Sequence, residues 1–102
     1  MQNITAVTGN NGTIPSSYKL YQNYPNPFNP TSVIVFDMPK EGFASLKVYN
    51  SIGQEVAVLV NGVVKSGVHQ KVFNASSLPS GVYFYKLVTN GFSDVKKMSL
   101  IK

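Results

Sequence analysis

The chain contains no cysteine, no tryptophan and no arginine among its 102 residues, and only one histidine. Without cysteine, neither disulfides nor thiolate chemistry is possible. Without arginine, the protein lacks the planar fork that nucleic-acid-binding proteins use to pair with phosphate and guanine. Its positive charges are therefore all lysines, and these are scattered from Lys19 to Lys102. This pattern excludes a dedicated nucleic-acid site.

Acidic residues are also scarce. The four are Asp37, Glu41, Glu55 and Asp94, and no two of them have the spacing of a catalytic pair. General acid–base catalysis needs partnered titratable groups, and a metal needs several ligands close together. His69 has no second histidine or cysteine with which to form a zinc site. The sequence therefore predicts a domain that is not an enzyme and that binds no cofactor or metal.

Long hydrophobic runs are missing as well. No stretch approaches the roughly 20 apolar residues of a transmembrane helix, and the first residues lack the basic and apolar regions of an export signal. Yet 43% of the residues are hydrophobic and only 13% are charged, which favours a compact core over a disordered chain. We expect one domain of a larger protein, with any export signal elsewhere.

The chain divides into two parts by composition. Residues 1–17 are rich in Asn, Thr, Gly and Ser, which predicts a flexible linker. From Tyr18 onward, seven runs of strand-forming residues alternate with turn residues. We predict strands near residues 18–23, 31–38, 43–50, 55–60, 67–73, 82–89 and 92–101.

Alternation of apolar and polar residues gives each of these strands one buried face. The predicted inward-facing sets are Ile34, Phe36 and Met38; Ala44, Leu46 and Val48; Tyr83, Tyr85 and Leu87; and Met98 and Leu100. Seven short strands at this spacing, with no helical periodicity, predict an all-β fold. The specific expectation is an immunoglobulin-like antiparallel β-sandwich over residues 18–102.

Turn chemistry supports the same fold. Asn61-Gly62 and Asn90-Gly91 are dipeptides that tolerate the positive φ angles of a type I′ hairpin turn. We predict further turns at residues 39–42 and 51–53. Gly81 allows the chain to bend into the sixth strand, and Tyr83 resembles the tyrosine corner of such sandwiches, in which the hydroxyl bonds to a nearby loop.

Five segments in a fixed order carry a family resemblance. They are the proline segment Tyr24-Pro25-Asn26-Pro27-Phe28-Asn29-Pro30, then residues 31–39 (TSVIVFDMP), residues 48–53 (VYNSIG), residues 78–83 (LPSGVY) and a tail with Lys96-Lys97-Met98 that ends at Lys102. Over residues 18–102 this set resembles the C-terminal sorting domain of type IX secretion cargo, type A. That domain is similar to the Ig-like domain of flagellar hook-capping proteins.

The resemblance implies a secretion signal. A cargo domain would lie upstream, the type IX translocon in the outer membrane would recognise this domain, and a sortase-like protease would cleave it from the cargo at the surface. The protein would then be secreted or held at the cell surface, after passing through the periplasm.

We expect the translocon to read an exposed edge of the last strand, steered by solvent-facing Lys96, Lys97 and Lys102 around buried Met98. Gly81 and Tyr83 are further candidates, and so are the proline-segment residues Tyr24, Pro25, Asn26 and Pro27.

Two other functions fit the same composition. The domain could be an accessory binding or spacer module of a secreted enzyme, attached to polysaccharide or to a surface. It could also be an assembly domain like that of hook-capping proteins, but Phe73-Asn74 stands where those relatives often have Trp-Asp. A sorting signal is absent from the mature cargo, whereas a binding module stays attached.

Overall fold

A computed structural model describes residues 14–102, so the first thirteen residues of the predicted linker lie outside the described residues. Residues 14–17 form no strand, and the Ile14 side chain is exposed. Residues 18–102 contain seven strands and no helix, which confirms the all-β prediction. The strands are β1 (Lys19–Leu20), β2 (Thr31–Met38), β3 (Gly42–Asn50), β4 (Glu55–Val64), β5 (Gly67–Asn74), β6 (Gly81–Thr89) and β7 (Phe92–Leu100). None of the described residues belongs to a helix able to cross a membrane.

The strands form two antiparallel sheets that pack face to face. One has the order β1-β2-β5, and the other has the order β4-β3-β6-β7. The inner faces are the ones that alternation predicted, because every second residue of β2, β3 and β6 is removed from solvent. The core consists of Leu20, Phe28, Ile34, Phe36, Met38, Ala44, Leu46, Val48, Val60, Phe73, Ala75, Tyr83, Tyr85, Leu87, Met98 and Leu100.

One of the two predicted hairpins is confirmed and the other is wrong. Asn90 and Gly91 have φ angles of 38° and 79° and form the tight turn between β6 and β7. Asn61-Gly62 lies instead inside β4, where the two residues pair with Ser45 and Ala44 of β3. The chain turns a few residues later, and Gly67 there has a φ of 132°. The turn moves because β3 extends back to Gly42 and so offers pairing partners as far as Val64.

The first predicted strand is shorter than expected. Only Lys19 and Leu20 pair as a strand with β2, instead of residues 18–23. Tyr24 makes a single further bridge to Val33, and the chain then leaves this sheet. Proline at residues 25, 27 and 30 explains why the ladder does not resume after Tyr24, because proline has no backbone N–H with which to continue it.

Candidate recognition surface

The proline segment passes from one sheet to the other. At its start, the N–H of Tyr24 donates to the carbonyl of Val33 and the N–H of Val33 donates back, at 3.0 and 2.8 Å. At Phe28 the chain pairs in parallel with Leu100 of β7. The segment therefore ties the edge of the three-stranded sheet to the edge of the four-stranded sheet.

Three hydrogen bonds of this segment and one of Gln22, just before it, fasten the chain to the end of β7. The N–H of Phe28 donates to the carbonyl of Ser99 at 2.9 Å, and the N–H of Ile101 donates to the carbonyl of Phe28 at 3.0 Å. The Oδ1 of Asn26 accepts from the N–H of Ser99 at 3.0 Å, and the Nε2 of Gln22 donates to the carbonyl of Lys97 at 2.8 Å. We call this set of contacts the terminal ladder.

The terminal ladder corrects one expectation about the last strand. From Lys97 to Ile101, the outer backbone edge of β7 is already hydrogen-bonded by the proline segment and by Gln22. It is therefore not an open edge for the strand of another protein. The sequence pattern did not reveal this because the partners are far apart in the chain, Asn26 and Ser99 by 73 residues.

A small buried polar network fixes the bend of the proline segment. Asn23 is only 3% exposed, and its Nδ2 donates to the Oγ of Ser32 at 2.8 Å and to the carbonyl of Pro25 at 3.0 Å. The Ser32 hydroxyl donates to the same carbonyl at 2.8 Å. Buried polar groups need such partners, so this network specifies one backbone path. Sequence reasoning missed Asn23; its only signal was a polar residue beside a motif.

The side chains of the proline segment divide into an anchor and an exposed surface. The ring of Phe28 is 2% exposed and packs 6.0 Å from the ring of Phe73, centroid to centroid. Tyr24 is 80% exposed, and Pro25, Asn26 and Pro27 are also exposed. Phe28 therefore belongs to the core, and the residues before it are presented to solvent.

The predicted lysines do not all face the same way. Lys97 is exposed on the outer face of the four-stranded sheet. Lys96 is half-buried on the same side as Met98, and its Nζ lies 3.9 Å from the Asp94 carboxylate, so it is not the solvent-facing residue that we expected. Adjacent strand residues point to opposite faces, which explains the difference. Lys102 is exposed.

Lys102 is held in place by the loop before β6. Its N–H donates to the Oγ of Ser80 at 3.2 Å, and its Nζ donates to the carbonyl of Ser76 at 2.7 Å. Two contacts from one terminal residue fix the position of the tail against this loop. The same end of the sheet therefore carries the proline segment, the end of β7 and residues 76–80.

Gly81, Tyr83 and Met98 also lie at this end but contribute to the fold. Gly81 pairs with Leu100, and Tyr83 pairs with Met98. Tyr83 and Met98 are buried, at 3% and 0% exposure. The Tyr83 hydroxyl donates to the carbonyl of Pro79 at 2.7 Å, which confirms the predicted tyrosine corner. A protein that docks on the folded domain does not reach these two side chains.

A second buried tyrosine connects the two sheets. The hydroxyl of Tyr85 in β6 donates to the carbonyl of Tyr21, which follows β1, at 2.7 Å. Burial raises the pKa of Tyr85 to about 12. The hydroxyl of Tyr21 donates in turn to the Asp37 carboxylate at 2.7 Å, and this hydrogen bond raises the pKa of Tyr21. These hydroxyls position the chain just before the proline segment.

The other two motifs meet in a groove of about 300 Å³. The turn after β3 forms one wall, and residues 78–83 form the other. Its apolar lining consists of Ile52, Val56, Leu78, Pro79 and Val82. Sequence reasoning did not predict the groove, because it arises from two turns that are distant in the chain.

The histidine and acidic side chains of the described residues are spread apart. Within residues 14–102, no three His, Asp or Glu side chains lie close enough to hold a metal ion. The His69 ring stacks on Phe36 at 5.2 Å, and its Nε2 lies 2.7 Å from the carbonyl of Lys65. These contacts give His69 a packing role.

The fold and the surface define an immunoglobulin-like β-sandwich module whose last strand is bound by a proline-rich segment of the same chain. Residues 22–102 match the protein family described as the secretion system C-terminal sorting domain, and the chain therefore belongs to that family. Among curated proteins, none matches the sequence.

Membership of this family settles the general role. The domain is a C-terminal sorting signal by which cargo proteins leave through the type IX secretion system. Its destination is across the outer membrane, at the cell surface or in the medium. The sorting-domain family is non-catalytic, and its members are recognised by the type IX machinery.

Proposed function

We propose that the type IX translocon recognises the end of the four-stranded sheet where the proline segment, residues 97–102 and the start of β6 meet. The observation that supports this is the terminal ladder, which joins Asn26 and Phe28 to Ser99 and Ile101. Because of the ladder, one receptor surface contacts two segments that are distant in sequence. A receptor can thereby recognise the folded domain and not merely an unfolded peptide segment.

The exposed residues at this end supply the contacts. Lys97 and Lys102 provide positive charge, which steers an acidic receptor surface toward them. Tyr24, 80% exposed, is an aromatic side chain of the kind that anchors protein interfaces. Lys96 adds charge beside Asp94. Met98, Gly81 and Tyr83 act indirectly, by fixing the strands that present these groups.

We further propose that a sortase-like protease cuts between the upstream cargo domain and this sandwich, within residues 1–17. Of that segment the structure describes residues 14–17, where Ile14, Ser16 and Ser17 are exposed and outside any strand. Proteases need such accessible backbone. The mass of the mature cargo recovered from culture medium tests this. Cargo that still carries residues 18–102 would contradict cleavage and favour a permanently attached binding module.

Export of a fusion protein tests the recognition surface. Residues 1–102 are fused to a periplasmic reporter in a host with a type IX system, and surface reporter is compared with periplasmic reporter. The triple variant Lys96→Gln, Lys97→Gln and Lys102→Gln is expected to leave most reporter in the periplasm. The matched control changes three lysines elsewhere, Lys40, Lys65 and Lys71, to glutamine and is expected to be exported normally.

Both triple variants lower the net charge equally, so a difference between them reports position and not total charge. Denaturant unfolding of each purified domain shows that the sandwich is intact. If the variant of Lys96, Lys97 and Lys102 folds and is exported normally, the translocon does not recognise the positive charge at this end. Tyr24→Ser then tests whether the proline segment is read without the lysines.

A further inference from the structure

The outer face of the four-stranded sheet carries lysines and exposed valines in register. One row across the four strands reads Val58, Lys47, Lys86 and Val95, from β4 through β3 and β6 to β7. Neighbouring strands lie about 4.8 Å apart, so the row spans roughly 14 Å. Val58 and Val95 are 48% and 51% exposed.

The adjoining rows continue this character. Phe84, Lys86 and Val88 are alternate residues of β6 and lie on the same face, and Val88 is 42% exposed. We name Lys47, Val58, Phe84, Lys86, Val88 and Val95 the valine–lysine face. Phe84 and Val88 lie diagonally beside Val95, whereas Val58 is separated from them by Lys47 and Lys86. Apolar side chains exposed together in this way mark a contact site more often than an ordinary surface.

Charge on this face is unbalanced. Lys47 and Lys86 are direct cross-strand neighbours, an arrangement that disfavours folding because like charges repel. Lys47 lies 3.4 Å from the Glu55 carboxylate. Over residues 14–102 the structure has two ion pairs, and neither includes Lys86 or Lys97 of the same face. The two lysines of the face against one glutamate leave it positive, and Lys97 lies beside Phe84 at its border.

The composition of the face favours a lipid surface over a protein partner. Protein interfaces are depleted in lysine, and their energetic centres are usually arginine, tryptophan or tyrosine. Here the charges are lysines on flexible stems, separated by short aliphatic side chains, and the chain has no arginine or tryptophan. Lysine is a compact point charge that pairs with headgroup phosphates without a fixed geometry.

We propose that the valine–lysine face docks the domain on a membrane surface that carries anionic phospholipid headgroups. The domain is sent across the outer membrane, so it comes close to membrane surfaces on its route. The lysines pair with headgroup phosphates, and the exposed valines lie against the interfacial region. This inference concerns the outer face of the four-stranded sheet, which meets the terminal ladder at Lys97. The variants below leave Lys97 unchanged, so that their outcome does not depend on translocon recognition.

Vesicle sedimentation tests the charge requirement. The 102-residue chain is mixed with vesicles of phosphatidylglycerol and phosphatidylcholine in equal parts, or of phosphatidylcholine alone. We expect salt-sensitive binding to the anionic vesicles only. Each lysine near such a surface contributes about fivefold in partitioning, so Lys47→Gln with Lys86→Gln is expected to weaken binding by at least about tenfold.

A matched double variant separates the face from net charge. Lys65→Gln with Lys71→Gln removes the same charge from exposed positions outside the valine–lysine face, and it is expected to retain most of the binding. Equal losses in the two double variants would overturn the proposal, because binding would then depend on overall charge. Absence of binding to anionic vesicles would also overturn it, and a protein partner would have to cover the face.

A single fluorophore identifies the face that touches the membrane. Because the chain has no tryptophan, Val88→Trp and Val72→Trp each introduce the only one. Val88 lies on the proposed face, and Val72, 66% exposed, lies on the outer face of the three-stranded sheet. We expect a blue shift on adding anionic vesicles for Val88→Trp alone. The same shift for both, or a shift only for Val72→Trp, would refute the assignment.

Discussion

Truncation of Phe28 tests whether the proline segment is part of the core or a loosely attached strap. Its ring is 2% exposed, and both its backbone N–H and its carbonyl are bonded to the end of β7. Phenylalanine-to-alanine changes at buried positions cost about 3–5 kcal/mol, because apolar contacts are lost and a cavity remains. A domain has only about 5–15 kcal/mol of stability. Phe28→Ala should therefore lower the free energy of unfolding by a large part of the total.

The assay is equilibrium urea unfolding followed by circular dichroism, with Tyr24→Ala as the control. Tyr24 lies in the same segment and is 80% exposed, so its truncation should change stability by less than about 0.5 kcal/mol. The Phe28→Ala midpoint should shift strongly while the slope against urea stays unchanged. A cost below about 1 kcal/mol, or equal costs for the two variants, would refute the core assignment.

Amide hydrogen exchange gives a second reading of the same variant. The N–H of Ile101 donates to the carbonyl of Phe28, although Ile101 lies outside β7. In the wild-type chain this amide should be protected by the terminal ladder. If Phe28→Ala left global stability intact and removed protection only at Ile101, the segment would be an independent local unit.

Three further predictions concern hydroxyl groups and turns. Tyr83→Phe removes the bond to the carbonyl of Pro79 and should cost about 1 kcal/mol in urea unfolding; no change would mean that the corner hydroxyl is dispensable. Gly62→Ala should change the free energy of unfolding by less than about 0.5 kcal/mol, because an added Cβ meets nothing within 4 Å. Gly91→Ala should cost about 1 kcal/mol or more, because Gly91 has a φ of 79°. A larger cost at Gly62 than at Gly91 would mean that the chain turns at Asn61-Gly62 after all. Burial raises the pKa of Tyr85 from 10.0 to about 12, so the stabilisation is complete below pH 10 and is lost as the pH rises toward 12. Tyr85→Phe should remove this part of the alkaline decline in unfolding experiments, and an unchanged decline would contradict it.

Local patterns were sufficient to predict most strands. Alternating residues such as Ile34, Phe36 and Met38 are fully buried as expected, since one face of each strand meets the core. The dipeptide Asn-Gly occurs twice, and it predicted a turn correctly at one position and wrongly at the other. After Asn90-Gly91 the chain folds back and pairs with β6 from Phe92 onward, whereas Asn61-Gly62 stays within the ladder between β3 and β4.

The candidate surface was less predictable because it depends on long-range contacts. The proline motif and the lysine tail were both identified as segments, but their pairing joins residues at opposite ends of the domain. Neither hydropathy nor turn chemistry encodes such a pairing. The half-buried position of Lys96 was predictable from strand alternation, because it shares the parity of buried Met98.

The parallel pairing of Phe28 with Leu100 has a mechanical consequence. Consider tension applied between the cargo side of the domain and Lys102. The two strands then slide in opposite directions along each other, and the hydrogen bonds between them are loaded together in shear. In an antiparallel pair the two forces would act at the same end, and the hydrogen bonds would break one after another, by unzipping. The terminal ladder therefore resists tension applied between the cargo side and Lys102.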